Sequence, residues 1–128
     1  MLFVLFQAHF CFTGVKHCQT FLDTLNKDGK LPTRFPDDFV QPAIVTIFRM
    51  ARFYNKVFTP IGEDQIKYTK LAIEHYRRIT TYCDANQDQL KKVEHELQQS
   101  ISTIDLLERQ IKMHEKTAEE MANSVQPA

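Results

Sequence analysis

This sequence contains little glycine and no tryptophan, and neither sign of charge is in excess. Its 128 residues include three glycines, five prolines and no tryptophan, which disfavours a turn-rich all-β fold. No GxxxxGK[ST], GxGxxG or GxSxG motif occurs, so phosphate-binding loops and nucleophile elbows are not indicated. The formal net charge is zero, which provides no basic field for nucleic acid or an anionic membrane. The composition therefore favours a neutral helical protein that binds neither.

Long apolar runs are also missing. The opening run Leu2–Phe6 is soon interrupted by Gln7 and His9, whereas a membrane-spanning helix needs about 20 apolar residues. No basic residue precedes Lys16, so a signal peptide is only the weaker alternative for this segment. Three cysteines do not make a disulfide framework. We therefore predict no membrane span, reduced thiols and a cytoplasmic location.

Apolar periodicity and capping residues predict helices along the whole chain. The expected helices cover about residues 2–25, 38–58, 64–83 and 86–123. Gly29 is a candidate left-handed stop after the first helix, and Asp37 and Asp38 supply capping chemistry for the second. The prediction is an all-α fold of antiparallel helical hairpins with a long last helix. Residues 1–123 are expected to form one helical-repeat domain and residues 124–128 a disordered tail.

The last helix carries a heptad seam, which predicts coiled-coil-like packing. One row of the seam is Leu90, Leu97, Ile104, Ile111 and Ala118, and the other is Val93, Ser100, Leu107, His114 and Met121. Because Ser100 and His114 are polar, they would weaken a free dimer zipper. We therefore expect the third helix to lie antiparallel against the seam and His114 to be partly buried. A coiled-coil structural protein is the alternative.

No arrangement typical of a catalytic or metal site is present. The potential metal ligands near the start of the chain are His9, Cys11, His17 and Cys18. They lack CxxC or HxxxH spacing, and Cys11, Gly14 and Cys18 form a small-residue stripe that suits close helix packing. His75 and Cys83 lie about 12 Å apart along one helix, too far for a nucleophilic pair. We predict no enzyme, cofactor, metal or small-molecule substrate.

Basic side chains recur along the second and third predicted helices. They are Arg49, Arg52, Lys56, Arg77 and Arg78. They form either a solvated basic face or an edge that contacts an acidic partner surface, which would affect association rate and specificity more than affinity. His95, between Glu94 and Glu96, is expected on a solvated face.

The second and third helices also carry a repeat-like pattern. Large, large, small and aromatic residues recur at helical spacing in the order Ile47, Met50, Ala51 and Tyr54. Ala72 and Tyr76 supply the matching small and aromatic residues in the third helix, as in a tetratricopeptide repeat. The connection from Ala51 to Ala72 is longer than in a standard repeat, so the sequence predicts a degenerate one.

Over about residues 20–120 the chain resembles the KIF-binding protein family of kinesin-binding scaffolds. The resemblance is carried by Phe48, Arg49, Ala51, Arg52, Tyr54 and Lys56, and by Ala72, Glu74, Tyr76, Tyr82 and Cys83. It implies a carboxy-terminal fragment of a tetratricopeptide-like α-solenoid, with further amino-terminal repeats of the same protein as one partner. Kinesin motor domains are the other implied partner, which implies regulation of microtubule attachment and cargo transport at the cytoskeleton. Another helical-repeat adaptor is the alternative.

Overall fold

The computed structural model describes residues 2–57 and 62–125, with the side chains of residues 9–57 and 62–123. In this part of the chain the helices are α1 (Leu2–Asp23), α2 (Asp37–Lys56), α3 (Gly62–Ala85), a 3-10 helix (Gln87–Val93) and α4 (Glu94–Val125). Within the described ranges no β-strand occurs, and the one strand-like feature is an isolated bridge between Lys27 and Lys30. The predicted all-α fold is confirmed.

The predicted last helix is in fact two elements. Asn86 has φ −132° and ψ 57°, a non-helical backbone that separates α3 from the 3-10 helix, and α4 begins only at Glu94. At the other end α4 reaches Val125, two residues into the segment expected as a tail. The predicted end of the second helix, residue 58, and residues 126–128 lie outside the described residues.

Gly29 adopts the left-handed backbone expected of it, but it does not end a helix. The first helix already ends at Asp23, and Asp28 and Gly29 have φ values of 53° and 79°. Lys27 and Lys30 exchange two backbone hydrogen bonds of 2.8 and 3.1 Å around them. Positive φ at both central residues is the geometry of a type I′ turn, in which Asp-Gly is a preferred pair. The prediction of a helix stop at Gly29 is therefore wrong, because Gly29 belongs to a separate turn between Lys27 and Lys30 that follows the end of α1.

The first two helices pack antiparallel through small residues of α1. A Cβ atom built on Gly14 would lie 2.5 Å from the ring of Phe53 on α2, so only glycine admits that ring in its present place. Cys11 and Cys18 are 1% and 9% exposed. The predicted small-residue stripe along α1 is therefore confirmed as a packing face.

The central pair, α2 and α3, is joined by aromatic contacts. Phe48 meets Tyr76 edge-to-face at 5.7 Å between ring centroids, and Tyr54 stacks on His75 at 5.3 Å. Tyr76 is 2% exposed and belongs to a core cluster that also draws on α4. The first and third helices also touch, since Phe12 of α1 contacts Tyr68 of α3.

The antiparallel packing of the third and last helices is confirmed. Arg77 pairs with Glu108, and Lys70, two turns earlier on α3, pairs with Glu115, two turns later on α4. The buried seam positions are Val93, Ser100, Leu107 and Ile111. The partly buried ones are Leu90, Leu97 and Ile104. The seam therefore faces the interior up to Ile111.

Beyond Ile111 the seam prediction is wrong. Every described side chain from Lys112 to Asn123 is exposed, including His114, which was expected to be partly buried. There α4 lies beside α3 through the exposed pair Lys70–Glu115, and no described element covers its other sides. None of the helices in the described ranges has the length and apolarity that crossing a membrane requires.

Candidate functional site

The segment before α2 is held against the end of α3 by a buried polar network. The hydroxyl of Tyr82 accepts the backbone N–H of Phe35 at 2.9 Å and donates to the side-chain oxygen of Gln89. Gln89, 2% exposed, donates from Nε2 to the carbonyl of Phe35 at 2.9 Å and to Asp37 at 2.8 Å. The rings of Phe35 and Tyr82 also stack at 5.2 Å. We call Phe35, Asp37, Tyr82 and Gln89 the polar lock.

A second set of bonds on the protein surface extends the polar lock. Arg34 makes a two-point contact with the carboxylate of Asp88 at 2.9 and 2.6 Å, and its hydrogen bonding lowers the pKa of Asp88. Asn86 donates from Nδ2 to the carbonyl of Thr33 at 3.1 Å. Residues 31–37 thereby have a fixed position beside α3, although they form no helix or strand until α2 begins.

One candidate surface is a groove of about 500 Å³ between α2 and α4. It is lined by Phe48, Arg52, Asn55, Lys56, Tyr76, His95, Gln99 and Thr103. Phe48 and Tyr76 provide an aromatic floor, and the guanidinium of Arg52 lies 6.0 Å from the centre of the Phe48 ring. These lining residues include two cations and a histidine but no carboxylate. We call this surface the α2/α4 groove.

The second candidate surface is a mainly apolar cleft of about 440 Å³ between residues 31–35 and α3. It is lined by Leu31, Pro32, Thr33, Phe35, Ile47, Glu74, Arg77, Arg78, Thr81, Tyr82 and Ala85. The polar lock builds one wall of it, because Phe35 and Tyr82 belong to both. Charged side chains from α3 form the rim. We call this surface the α3 cleft.

The structure distributes the five predicted basic residues over these surfaces. Arg52 and Lys56 line the α2/α4 groove, and Arg77 and Arg78 line the α3 cleft. Arg49 lines neither; it is exposed, close enough to Cys18 of α1 to oppose the rise that burial causes in the pKa of that thiol. The five cations therefore do not form one patch, and their role in partner binding stays a prediction.

Sequence reasoning missed the α4 side of the α2/α4 groove. His95, exposed as expected, lines the groove together with Gln99 and Thr103. These residues recur at intervals of four, as Phe48, Arg52 and Lys56 do on α2, so each set lies along one face of its helix. That shared spacing was the available signal, but nothing local in the sequence places the two faces side by side.

The two arginines of the α3 cleft have different surroundings. Arg77 is paired with Glu108 of α4. Arg78 is half-buried, and its Nη1 lies 2.9 Å from Nδ1 of His75. Among the described residues no carboxylate oxygen comes within 4.0 Å of the Arg78 guanidinium. Burial lowers the pKa of Arg78, and the nearby charge of Glu74 opposes that shift.

Titration of His75 should make the stability of the chain depend on pH. Burial has the largest effect and lowers the pKa of His75 in the folded state. The charge of Arg78 lowers this pKa further, and the charge of Glu74 opposes the shift. The folded state thus favours neutral His75. The contribution of this preference to the free energy of unfolding is complete above the unfolded pKa of about 6.5, and it is lost as pH falls below that value. We expect the free energy of unfolding to decrease from about pH 7.5 to about pH 5.5.

The substitution His75→Phe tests this origin, because it keeps a ring beside Tyr54 and removes the titrating group. We expect a smaller pH dependence in this variant, measured by urea unfolding followed by circular dichroism. His17→Phe, which changes an exposed histidine, is the matched control. An unchanged pH dependence in His75→Phe would show that the effect arises elsewhere.

The described residues contain no group of three or more His, Cys, Asp or Glu side chains placed to hold a metal ion. Cys11, Cys18 and Cys83 are free and buried. For Cys83, burial and then the charges of Asp84 and Glu96 raise the pKa of the thiol. Its thiol is therefore stabilised in the protonated form, which is the less nucleophilic one.

Sequence comparison with known proteins gives a match that extends over the helices that form both surfaces. Residues 7–114 match the family described as "KIF-1 binding protein C terminal". The chain belongs to this family. The resemblance read from the motifs of the second and third helices is thereby confirmed. The match includes every residue that lines the α2/α4 groove and the α3 cleft.

Individual relatives carry the name KIF-binding protein. The protein from Danio rerio is 35% identical over 100 residues, which is 77% of this chain and 16% of that protein. Those from Xenopus tropicalis and Homo sapiens are 34% and 31% identical over 96 residues, which are 74% of this chain and 16% of each of those proteins. This member of the KIF-1 binding protein C-terminal family thus spans about a sixth of the curated relatives it matches. No solved structure matches it significantly.

Proposed function

We propose that this chain is a non-catalytic adaptor that binds kinesin motor domains. The observation that carries the proposal is its membership of the KIF-1 binding protein C-terminal family, whose curated relatives are named for binding KIF proteins. An all-helical fold with grooves between its helices provides surfaces that a protein partner can contact. Regulation of microtubule attachment and of cargo transport would follow from occupying the motor, and would place the chain in the cytoplasm at the cytoskeleton.

The α2/α4 groove is the contact surface that we propose for the motor. Arg52 and Lys56 line it, Arg52 lies over the ring of Phe48, and its lining has no carboxylate. Such a surface is complementary to an acidic segment that also carries an apolar side chain. Complementary charge speeds association and excludes wrong partners, while the partly exposed ring of Phe48 offers apolar area of the kind that anchors interfaces.

The exposed side of α1 is the surface that we propose for further repeats of the same protein. Phe10 and Phe21 lie about three turns apart on the same face of α1 and are 62% and 37% exposed. Exposed aromatic side chains on one helix face often mark an interface. In a repeat array each unit covers the apolar face of its neighbour, and the relatives are long enough to supply such neighbours.

The proposal is tested by microtubule co-sedimentation of a kinesin motor domain with and without an excess of this chain. We expect the motor to move from the microtubule pellet to the supernatant. Reversing charge in the α2/α4 groove with Arg52→Glu and Lys56→Glu should weaken this effect about tenfold or more, because two attractive contacts become repulsive.

Lys112→Glu and Lys116→Glu form the matched control. These exposed lysines of α4 also lie four residues apart, and reversing them changes the net charge equally outside the groove. If the motor stays on microtubules with the wild-type chain folded, this chain does not compete for the motor. If both double variants weaken release equally, overall charge rather than the groove is responsible.

A coiled-coil structural role for the last helix has less support. The seam that would form a zipper is covered by α3 within the chain as far as Ile111. An adaptor for another acidic partner would use the same α2/α4 groove, and it would leave the motor on the microtubules in the co-sedimentation assay.

A further inference from the structure

The α3 cleft is formed before any partner arrives. Its wall residues Phe35 and Ile47 are 2% and 3% exposed, so they are held by packing on their other sides. Tyr82 is fixed by the bond from the Phe35 N–H and by its own bond to Gln89. A cleft with rigid walls orders few side chains on binding, which favours affinity.

The floor of the α3 cleft is suited to one bulky apolar side chain. Leu31, Pro32 and the ring of Tyr82, which are partly exposed, supply apolar surface, and the methyl group of the exposed Ala85 lines the same cleft. At about 440 Å³ the cleft falls in the range of ordinary ligand pockets. Apolar area buried there would provide most of the binding free energy.

Arg78 provides a cationic group at the rim of the α3 cleft. It is half-buried, so its charge has already lost part of its hydration, and no described carboxylate lies within 4.0 Å of it. One N–H group of its guanidinium is directed to His75, and the other N–H groups can donate to a partner. Arg77 differs because Glu108 already neutralises it. A carboxylate brought next to Arg78 would form a charge-assisted bond at a partly desolvated site.

We propose that the α3 cleft docks a peptide segment of a partner protein in which a bulky apolar side chain lies next to a carboxylate. The apolar side chain enters between residues 31–35 and α3, and the carboxylate bonds to Arg78. Glu74 stands on the same rim and repels the carboxylate from its own position, so it sets the direction in which the segment lies. The site does not depend on motor binding in the α2/α4 groove, since it uses a different set of residues.

The proposal is tested by selecting a phage-displayed library of random peptides of roughly 16 residues on the intact chain. The peptides that are enriched should carry a Leu, Ile, Phe or Trp within one or two residues of an Asp or Glu. Fluorescence anisotropy then measures the affinity of the most enriched peptide for the chain and its variants. Arg78→Gln should weaken binding about tenfold or more, and Ala85→Trp, which fills the cleft edge, should abolish it.

Matched controls separate the cleft from general effects. Arg109→Gln and Ala122→Trp change an exposed arginine and an exposed alanine on α4, outside the cleft, and should leave peptide affinity unchanged. Replacing the peptide's carboxylate with its amide should weaken binding to wild type, with no further loss in Arg78→Gln, as expected for two groups that contact each other. Circular dichroism confirms that each variant folds; since Ala85 is exposed, Ala85→Trp carries the test if Arg78→Gln does not fold.

Several results would overturn the proposal. The first is a selection that enriches no peptide, or only peptides without an acidic residue. The second is a peptide whose binding survives Ala85→Trp. The third is a peptide that responds to Arg52→Glu and Lys56→Glu but not to Arg78→Gln, which would place it in the α2/α4 groove. None of these results bears on the microtubule assay, so the two proposals stand or fall separately.

Discussion

Replacing Gln89 with alanine is expected to lower the free energy of unfolding by about 2–4 kcal/mol. Gln89 is 2% exposed and bonds to the carbonyl of Phe35, the hydroxyl of Tyr82 and the carboxylate of Asp37. Alanine leaves a cavity and removes the hydrogen-bond partner of a buried backbone carbonyl, and both effects destabilise. Urea unfolding followed by circular dichroism measures the change.

Gln98→Ala is the control for this prediction, because it makes the same change at an exposed position of α4. Its effect should stay within about 0.5 kcal/mol. The double variant with Tyr82→Phe should be less destabilised than the sum of the two single variants, since Tyr82 and Gln89 share a bond. A Gln89→Ala variant as stable as wild type would mean that the polar lock does not form in solution.

The substitution Gln89→Ala should also affect the proposed peptide binding. The polar lock fixes residues 31–37, and these residues form one wall of the α3 cleft. Gln89→Ala should therefore weaken peptide binding in the α3 cleft even under conditions where the variant is fully folded. Arg52 and Lys56 of the α2/α4 groove lie outside the polar lock, so the release of the motor should change less.

Replacing Ser100 with leucine is expected to destabilise the chain by about 1–3 kcal/mol. Ser100 is fully buried, and its hydroxyl donates to the carbonyl of Glu96 one turn earlier at 2.6 Å. A leucine side chain, with about two more heavy atoms than serine, has no space at this buried position without moving the surrounding helices. His114→Leu, at the equivalent position two heptads later, should have almost no effect because that position is exposed. Thermal unfolding of both variants measures the difference.

The comparison of these two substitutions also tests the alternative for the last helix. If α4 formed a zipper with a second copy of the chain, leucine at either seam position would complete the apolar row and stabilise it. Both variants would then be more stable than wild type, and sedimentation would show dimers. Destabilisation by Ser100→Leu together with almost no effect of His114→Leu would instead support α3 as the partner of the seam.

Much of this fold could be predicted from local patterns. Periodicity at helical spacing located the first three helices to within a few residues, because one face of each must be apolar to pack, whereas α4 begins eight residues later than predicted. The row Cys11, Gly14 and Cys18 marked a close helix contact, and Phe53 fills it. The motifs around Arg52 and Tyr76 also indicated the family. Each of these signals lies within one helix, where neighbours in sequence are neighbours in space.

Tertiary structure alone decided the rest. The bond from Gln89 to Phe35 joins residues 54 positions apart, and no periodicity predicts it. The same holds for the division of the basic residues between two surfaces, because which groove an arginine borders depends on the helix that packs beside it. His114 fits the heptad pattern as well as Ser100 does, yet it is exposed, although Lys70 of α3 pairs with the adjacent Glu115. A sequence specifies which face of a helix is apolar, whereas the length and placement of its neighbours determine how much of that face is buried.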